Sequence, residues 1–315
     1  MLSAPLDAIL GLAMHQPRQQ KPLWRRLLRL VPGIRKLHSG VRDQSRSMLQ
    51  VIDLRRYERE LVNLDRQKSP EVLVSLTSFP ERIEQSVLAV QSLLHQDEGP
   101  NGVVLVLAES QFPRRELPQK VSSLTQHGLE ILWTDRDTRD LKKLQPTLEA
   151  FPGVLVVTAD DDLQYKPWFL SRLLEARNGQ PGAAVGHRGW EIRLDQGQML
   201  PYNMWTPAQS STISKRMFLT SGSGILFDPD LWPLEILCDV ELATALCPTA
   251  SDVWFWIVCK VASLETRCLG VQSFEPVIAL GRSPALMKTN VYHGGNDRQI
   301  EAAMRYFGLD SRILG

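Results

Sequence analysis

The chain has 315 residues, 43% of them hydrophobic and 23% charged, with a formal net charge of +1. That length buries a sizeable core in one large domain or two small ones, and the composition is that of an ordinary globular protein. The near-balanced charge excludes a global pull toward nucleic acid or acidic partners.

The first apolar run, residues 8–14, follows Asp7, lacks a basic lead-in and is far too short to span a bilayer. No later run is long enough either, so the chain is expected to be neither exported nor transmembrane. Charge then clusters: nine Lys or Arg and one acid, Asp43, lie between Pro17 and Arg46. In LWRRLLRLVPGIRKL, four leucines lie near Trp24 with Arg25, Arg26 and Arg29 interleaved, a short basic amphipathic helix broken at Pro32–Gly33. Such a helix packs its leucines on the main domain or lies on an anionic membrane surface, which makes residues 17–46 the candidate for peripheral membrane contact. Charged helix continues over 55–66 to a linker at 68–70. Residues 1–69 are therefore expected to form a basic helical extension, and 70–315 the main domain.

From Glu71 the pattern changes. EVLVSLTSF, GVVLVLAES, LEILWTD and GVLVVTADDD are short β-branched apolar runs that end in polar residues. Helical stretches separate them: Ile83, Val87, Val90 and Leu94 mark one face of the first, and the others span 116–127, 141–151 and 168–177. Alternation of this kind predicts a doubly wound, Rossmann-like α/β fold over at least 71–178, its parallel sheet covered on both faces. Ligands of such sheets bind beyond the carboxyl ends of the strands. No Gly-x-Gly-x-x-Gly follows the first strand and no P-loop appears, so a dinucleotide cofactor is not indicated.

The fourth run ends in Asp160, Asp161 and Asp162, which repel one another unless something gathers them. In extended backbone Asp160 and Asp162 point to one side and make an oxygen-rich seat suited to Mg²⁺ or Mn²⁺. Asp161 then points the other way, toward a backbone amide or a ribose hydroxyl. The alternative is a charged turn capping the helix near Pro167, for which one Asp suffices. Asp135 and Asp137 share the spacing, but Arg136 and Arg139 lie among them, so that pair is expected in a structural loop or as one nucleotide contact. Lys142 and Lys143 follow, either near bound phosphate or on a solvated helix face. Cys238, Cys247, Cys259 and Cys268 contain no Cys-x-x-Cys pair, so neither zinc nor a disulfide framework is expected, and a reducing cytoplasm fits best.

Taken in order, VSLTSFPERI, KKLQPTLEAFPGVLVVTADDDLQYKPWFL, GSGILF and CPTASDVWFW resemble bacterial glycosyltransferases of the GT-A fold over roughly residues 71–300. The resemblance implies an α/β Rossmann-like GT-A nucleotide-sugar transferase fold, with 70–180 as the nucleotide-sugar and metal half and 181–315 as the acceptor half. It implies transfer from a nucleotide-diphosphate sugar to a glycan or lipid-linked acceptor, with Mn²⁺ or Mg²⁺ between Asp160, Asp162 and the diphosphate. Thr77, Ser78, Arg82, Lys143, Asp160 and Asp161 are then the nucleotide-sugar contacts, although Ser78 and Pro80 also suit a plain helix start. Asp252 is the implied general base, and its attack geometry inverts the anomeric centre. The family often carries a second acid where Ser251 stands, and Ser251 with Asp252 would equally make an N-cap and a first-turn acid. His293 is the implied third metal ligand, while Asn296 and Asp297 suit the cap of a final helix over 298–307. Trp190, Tyr202 and Trp205 are candidates to stack on sugar rings, as large aromatics otherwise fill cores. Gly222 and Gly224 allow close backbone approach to an acceptor, or a simple turn. Two other classes share these features: a metal-dependent nucleotidyltransferase or phosphoesterase, and a non-catalytic nucleotide-sugar-binding scaffold. The expected location is cytoplasmic, peripheral on the inner face of the plasma membrane.

Overall fold

The four apolar runs are the heart of the sheet in the computed structural model, which describes residues 72–277, 290–291 and 293–315. The basic segment 17–46 and its expected membrane contact lie outside the described residues. Strands β1 (Val72–Thr77), β2 (Gly102–Ala108), β3 (Leu129–Thr134) and β4 (Leu155–Thr158) all pair in parallel, in the order β3-β2-β1-β4. The chain runs outward from β1 to β2 and β3, then returns to the far side of β1 for β4. The reversal lies between β1 and β4, and in an open α/β sheet that switch point is where the loops splay into a crevice.

Four further strands widen the sheet to eight: β5 (Ala183–Gly186), β6 (Thr212–Ile213), β7 (Ile225–Phe227) and β8 (Glu265–Cys268). The order is β6-β8-β5-β7-β4-β1-β2-β3. β7 runs antiparallel between β4 and β5, and β8 returns parallel to β5. The sheet is thus mixed but dominated by parallel pairs. Because β7 is reversed, the turn that enters it lies at the same edge as the carboxyl end of β4.

Helices cover both faces, as near-continuous apolar strands require. α1 (Ser86–Leu94) and α3 (Phe169–Gly179) pack on one core, with Val74, Leu76, Leu105 and Val157 beneath them. α2 (Gln145–Ala150) and α5 (Ser251–Val261) pack on the other, with Val156, Phe227 and Trp254. α4 (Val240–Leu246) and α6 (Gly295–Tyr306) complete that side. No single helix among the described residues is long and apolar enough to cross a membrane; the bent pair α4–α5 has the composition, but α5 is buried core.

Three expected helices differ in detail. The stretch 116–127 folds as a four-residue helix, Gln119–Ser122, and a 3-10 turn, Ser123–His127. The stretch 141–151 divides into a 3-10 turn, Arg139–Lys143, and α2, because Pro146 fits only the first turn of a helix. The last helix begins at Gly295 behind a left-handed Gly294, φ 66°, so Asn296 and Asp297 lie in its first turn and do not cap it. Asp297 instead accepts the Tyr202 N–H at 2.7 Å. All four cysteines are free, and Cys247, Cys259 and Cys268 are buried.

Candidate active site

A cleft of about 580 Å³ opens over the switch point. Its walls come from every carboxyl-end loop of the first four strands: Thr77, Ser78 and Arg82 after β1, Gln111 after β2, Asp140 and Lys142 after β3, and Asp160, Asp161 and Asp162 after β4. Ser251 and Asp252 at the start of α5 close the opposite side, with Tyr202 and Asn296. Most of the residues singled out in the sequence therefore meet in one place.

The acidic triplet divides between two cations. Asp161 is the buried member and accepts Ser78 Oγ at 2.6 Å and Arg82 Nη1 at 2.9 Å. Ser78 therefore ties β1 to β4 and caps no helix. The other terminal nitrogen of Arg82 pairs with Asp162 Oδ2, so one planar guanidinium spans two carboxylates. Asp160 turns the other way, to Lys143 Nζ at 2.8 Å. The expected split, with Asp161 alone on one side, thus gives way to Asp161 and Asp162 sharing Arg82. Burial pushes the Asp160 carboxyl up to about 7 against the pull of Lys143, with the charges of Asp140 and Asp162 adding to the rise. Burial likewise lifts Asp161 to about 6, against Arg82 and Ser78. Burial also works against the charges on Arg82 and Lys143, but the carboxylates around them win and both are held more firmly cationic than usual.

A layer beneath fixes these groups. Ser75, on the second face of β1, donates to the carbonyl of Lys143 and receives the Thr147 hydroxyl at 2.7 Å, pinning the turn that carries the lysine. Tyr165 Oη accepts the Asp160 N–H at 2.6 Å and donates to the Gly222 carbonyl at 2.7 Å. Gly222 lies so close that a Cβ there would collide with the Asp160 carboxylate. Only glycine leaves that carboxylate its room.

Asp252 lies in the first turn of α5, where Oδ1 accepts the Ser221 N–H at 2.8 Å. Burial raises its affinity for a proton, and Lys143 and the Ser221 hydrogen bond oppose the rise. The N-cap of α5 is Ala250, with no side-chain cap, so Ser251 is not the cap that its sequence position suggests. Its hydroxyl donates instead to Asp140. Asp140 was absent from the sequence-derived site, although it stands three residues before Lys143, a spacing that brings side chains together on a helical turn. Lys143 Nζ lies 2.9 Å from Asp140 Oδ1. Burial would raise the Asp140 carboxyl, but Lys143 and Ser251 hold it below the ordinary carboxylate range. In the neighbouring Asp135–Asp137 loop, Asp137 pairs with Lys142 at 3.0 Å and takes Gln111 Nε2 at 2.9 Å, while Arg136 reaches Glu241 at 2.7 Å.

Six candidates lie outside the cleft lining: Lys143 and Gly222 stand against Asp160 behind it, and the other four have their own surroundings. Trp205 is buried against Tyr202 and Phe218, with ring centroids 4.8 and 5.4 Å away, and its indole N–H goes to the Leu200 carbonyl. Trp190 is half-buried beside Tyr202, with Arg188 5.7 Å over its ring. Of the three aromatic candidates, Tyr202 lines the cleft. Gly224, φ 96°, makes the turn into β7, where a Cβ would stand 2.5 Å from the Phe169 ring. His293 is exposed before α6, its carbonyl accepting Arg298 Nη1 at 2.8 Å.

A hard divalent cation fits this donor set. Among the described residues Asp160 Oδ2 and Asp162 Oδ1 take no hydrogen bond, and both carboxylates line the cleft. No group of three or more His, Cys, Asp and Glu encloses a metal among the described residues. Two carboxylates without a closed cage match Mg²⁺ or Mn²⁺, which draw further oxygens from water and phosphate.

No protein-family model matches the chain, and no curated protein matches it. Solved structures give loose likenesses. A CMP:2-keto-3-deoxy-manno-octonic acid synthetase complexed with CTP is 10% identical over 72% of this chain and all (100%) of its own, with a TM-score of 0.42. TarS 1–349 of S. aureus is 12% identical over 65% of this chain and 59% of its own, at 0.41. The mannosyltransferase PcManGT from Pyrobaculum calidifontis, in complex with GDP-Man and Mn²⁺, is 12% identical over 84% of each chain, at 0.40. At this level of likeness no activity follows.

Proposed function

We propose that the chain is a glycosyltransferase that moves a sugar from a nucleotide-diphosphate sugar to a hydroxyl of a glycan or lipid-linked acceptor. The observation that carries this is the arrangement of one cleft: Asp160 and Asp162 at the switch point of the sheet, and Asp252 facing them from the start of α5. Its volume is that of a small-molecule site. Thr77, Ser78 and Arg82 receive the nucleotide and its phosphates. Asp160 and Asp162 hold Mn²⁺ or Mg²⁺, which when bound offsets the negative charge that grows on the departing diphosphate.

Asp252 acts as general base. A carboxylate with raised proton affinity accepts a hydroxyl proton more readily than an ordinary one, and the Ser221 N–H holds this one in place through Oδ1. The acceptor oxygen bonds to the anomeric carbon, the bond from that carbon to the diphosphate oxygen breaks, and the proton passes to Asp252. Attack from the face opposite the diphosphate inverts the anomeric centre. A lipid-linked acceptor would place this work at the inner face of the plasma membrane, with the basic segment 17–46 against anionic lipid.

The test is a thermal-shift screen of nucleotide sugars with and without Mn²⁺ on wild type and Asp162→Ala. A donor at about 100 times its Kd stabilises the folded state by about 2.7 kcal/mol. One donor is expected to raise the Tm only with Mn²⁺, and the variant to lose that shift. A wild type that ignores every donor but hydrolyses simple phosphate esters would be a phosphoesterase instead.

A further inference from the structure

Asp252 and the cation seat belong to segments 90 residues apart, and their separation decides whether acceptor and donor meet. A line of side chains joins Ser251, the chain neighbour of Asp252, to Asp160. Asp140 Oδ2 accepts the Ser251 hydroxyl, across 111 residues of sequence. Asp140 Oδ1 receives Lys143 Nζ at 2.9 Å, and the same ammonium reaches Asp160 Oδ1 at 2.8 Å. We propose that Asp140 is a positioning residue, which sets the distance between Asp252 and Asp160 through Ser251 on one side and Lys143 on the other. The proposal rests on the transferase reading above and names a further residue on which that reaction depends.

Three observations point this way. Each oxygen of Asp140 has a different partner, one from each half of the site, so the carboxylate is a bridge and not a cap. Ser251 opens α5 just inside its N-cap, Ala250, and its hydroxyl turns away from that helix to Asp140. Arg139, the residue before, is held at φ 54°, a conformation that non-glycine residues adopt where their surroundings impose it. Asp140 also supplies a carboxylate beside Asp252, where Ser251 itself has none.

The variants are Asp140→Ala, Ser251→Ala, the double variant and Ser251→Thr. The assay follows release of nucleoside diphosphate from a panel of UDP-, GDP- and ADP-linked sugars with Mn²⁺, and donor Kd is measured by calorimetry. Each single alanine variant is expected to lower kcat by about tenfold or more while donor Kd moves less than about threefold, since the donor contacts stay in place. The double variant is expected to be no worse than Asp140→Ala, because both substitutions cut the same line. Ser251→Thr, which keeps the hydroxyl, is expected to restore kcat to within about twofold. If either alanine variant fails to fold, Asp140→Asn, which keeps shape but not charge, replaces it and is expected to show the same loss of kcat. Unchanged kcat, multiplicative losses in the double variant, or a loss of donor affinity equal to the loss of kcat would each overturn the proposal. A wild type that turns over no nucleotide sugar would overturn the transferase reading, and this role of Asp140 with it.

Discussion

Gly222 shows how a residue with no side chain can govern one that has. Its Cα lies where any Cβ would displace the Asp160 carboxylate, and its carbonyl shares Tyr165 with the Asp160 backbone. Gly222→Ala is expected to abolish the metal-dependent thermal shift by a nucleotide sugar while leaving a cooperative melt. A Tm loss above about 8 °C, comparable to more than 2 kcal/mol in a domain of this size, would show instead that the loop had unfolded. The three aspartates were legible in the sequence because their signal is local, carboxylates at the end of an apolar strand; Asp252 was singled out by the resemblance, since an acid at the start of an apolar helix suits any helix. Asp140 and the function of Gly222 were not, because each depends on a partner brought by the fold from far along the chain, Ser251 for one and Asp160 for the other.

Among the elements, the turn Arg139–Lys143 does more for the cleft than its length suggests. It is anchored from below by Ser75 of β1, whose hydroxyl holds the Lys143 carbonyl while Thr147 donates to it. Ser75→Ala would leave that carbonyl and the Thr147 hydroxyl without a partner in a fully buried place. A stability loss of about 1–3 kcal/mol is expected, measured by urea denaturation. Activity should fall further than that loss explains, because Lys143 is displaced. The sequence suggested one helix over 141–151; Pro146 marked the start of α2, but the 3-10 turn before it opens on a left-handed Arg139, and nothing in an arginine announces that conformation. Another expectation concerns the segment after β5. His187 is buried with its ring stacked on Phe169 at 5.1 Å, Nε2 donating to the Phe169 carbonyl and Nδ1 without a partner. Burial holds its proton affinity down, to about 4. The unfolded chain therefore binds this proton first, so the stabilisation is complete above pH 6.5 and is lost as pH falls through about 4, on the order of 3 kcal/mol. His187→Gln is expected to flatten that limb of the stability–pH curve, and an unchanged curve would show that other groups set it.

On the scale of the whole molecule, four apolar runs and the helical spacing between them were enough to read a parallel, doubly wound sheet and the edge at which ligands meet it. The antiparallel strand β7 was not legible, since three residues, Ile225–Phe227, carry too little pattern to reveal a direction. That strand has a consequence for synthesis on the ribosome. β4 ends at Thr158, but its second neighbour is not made until residues 225–227. At ordinary elongation rates the interval lasts roughly 3–13 s, during which an apolar strand presents an unpaired backbone edge to any other nascent chain. The three aspartates that follow it are like charges flanking an open edge, the device by which sequences discourage strand addition. Substituting Asn at all three is therefore expected to raise the insoluble fraction in chaperone-free cell-free synthesis, even where the refolded protein is stable. An unchanged fraction would show that β4 is shielded by other means. The carboxylates that line the finished cleft would then have served first as guards of an incomplete sheet.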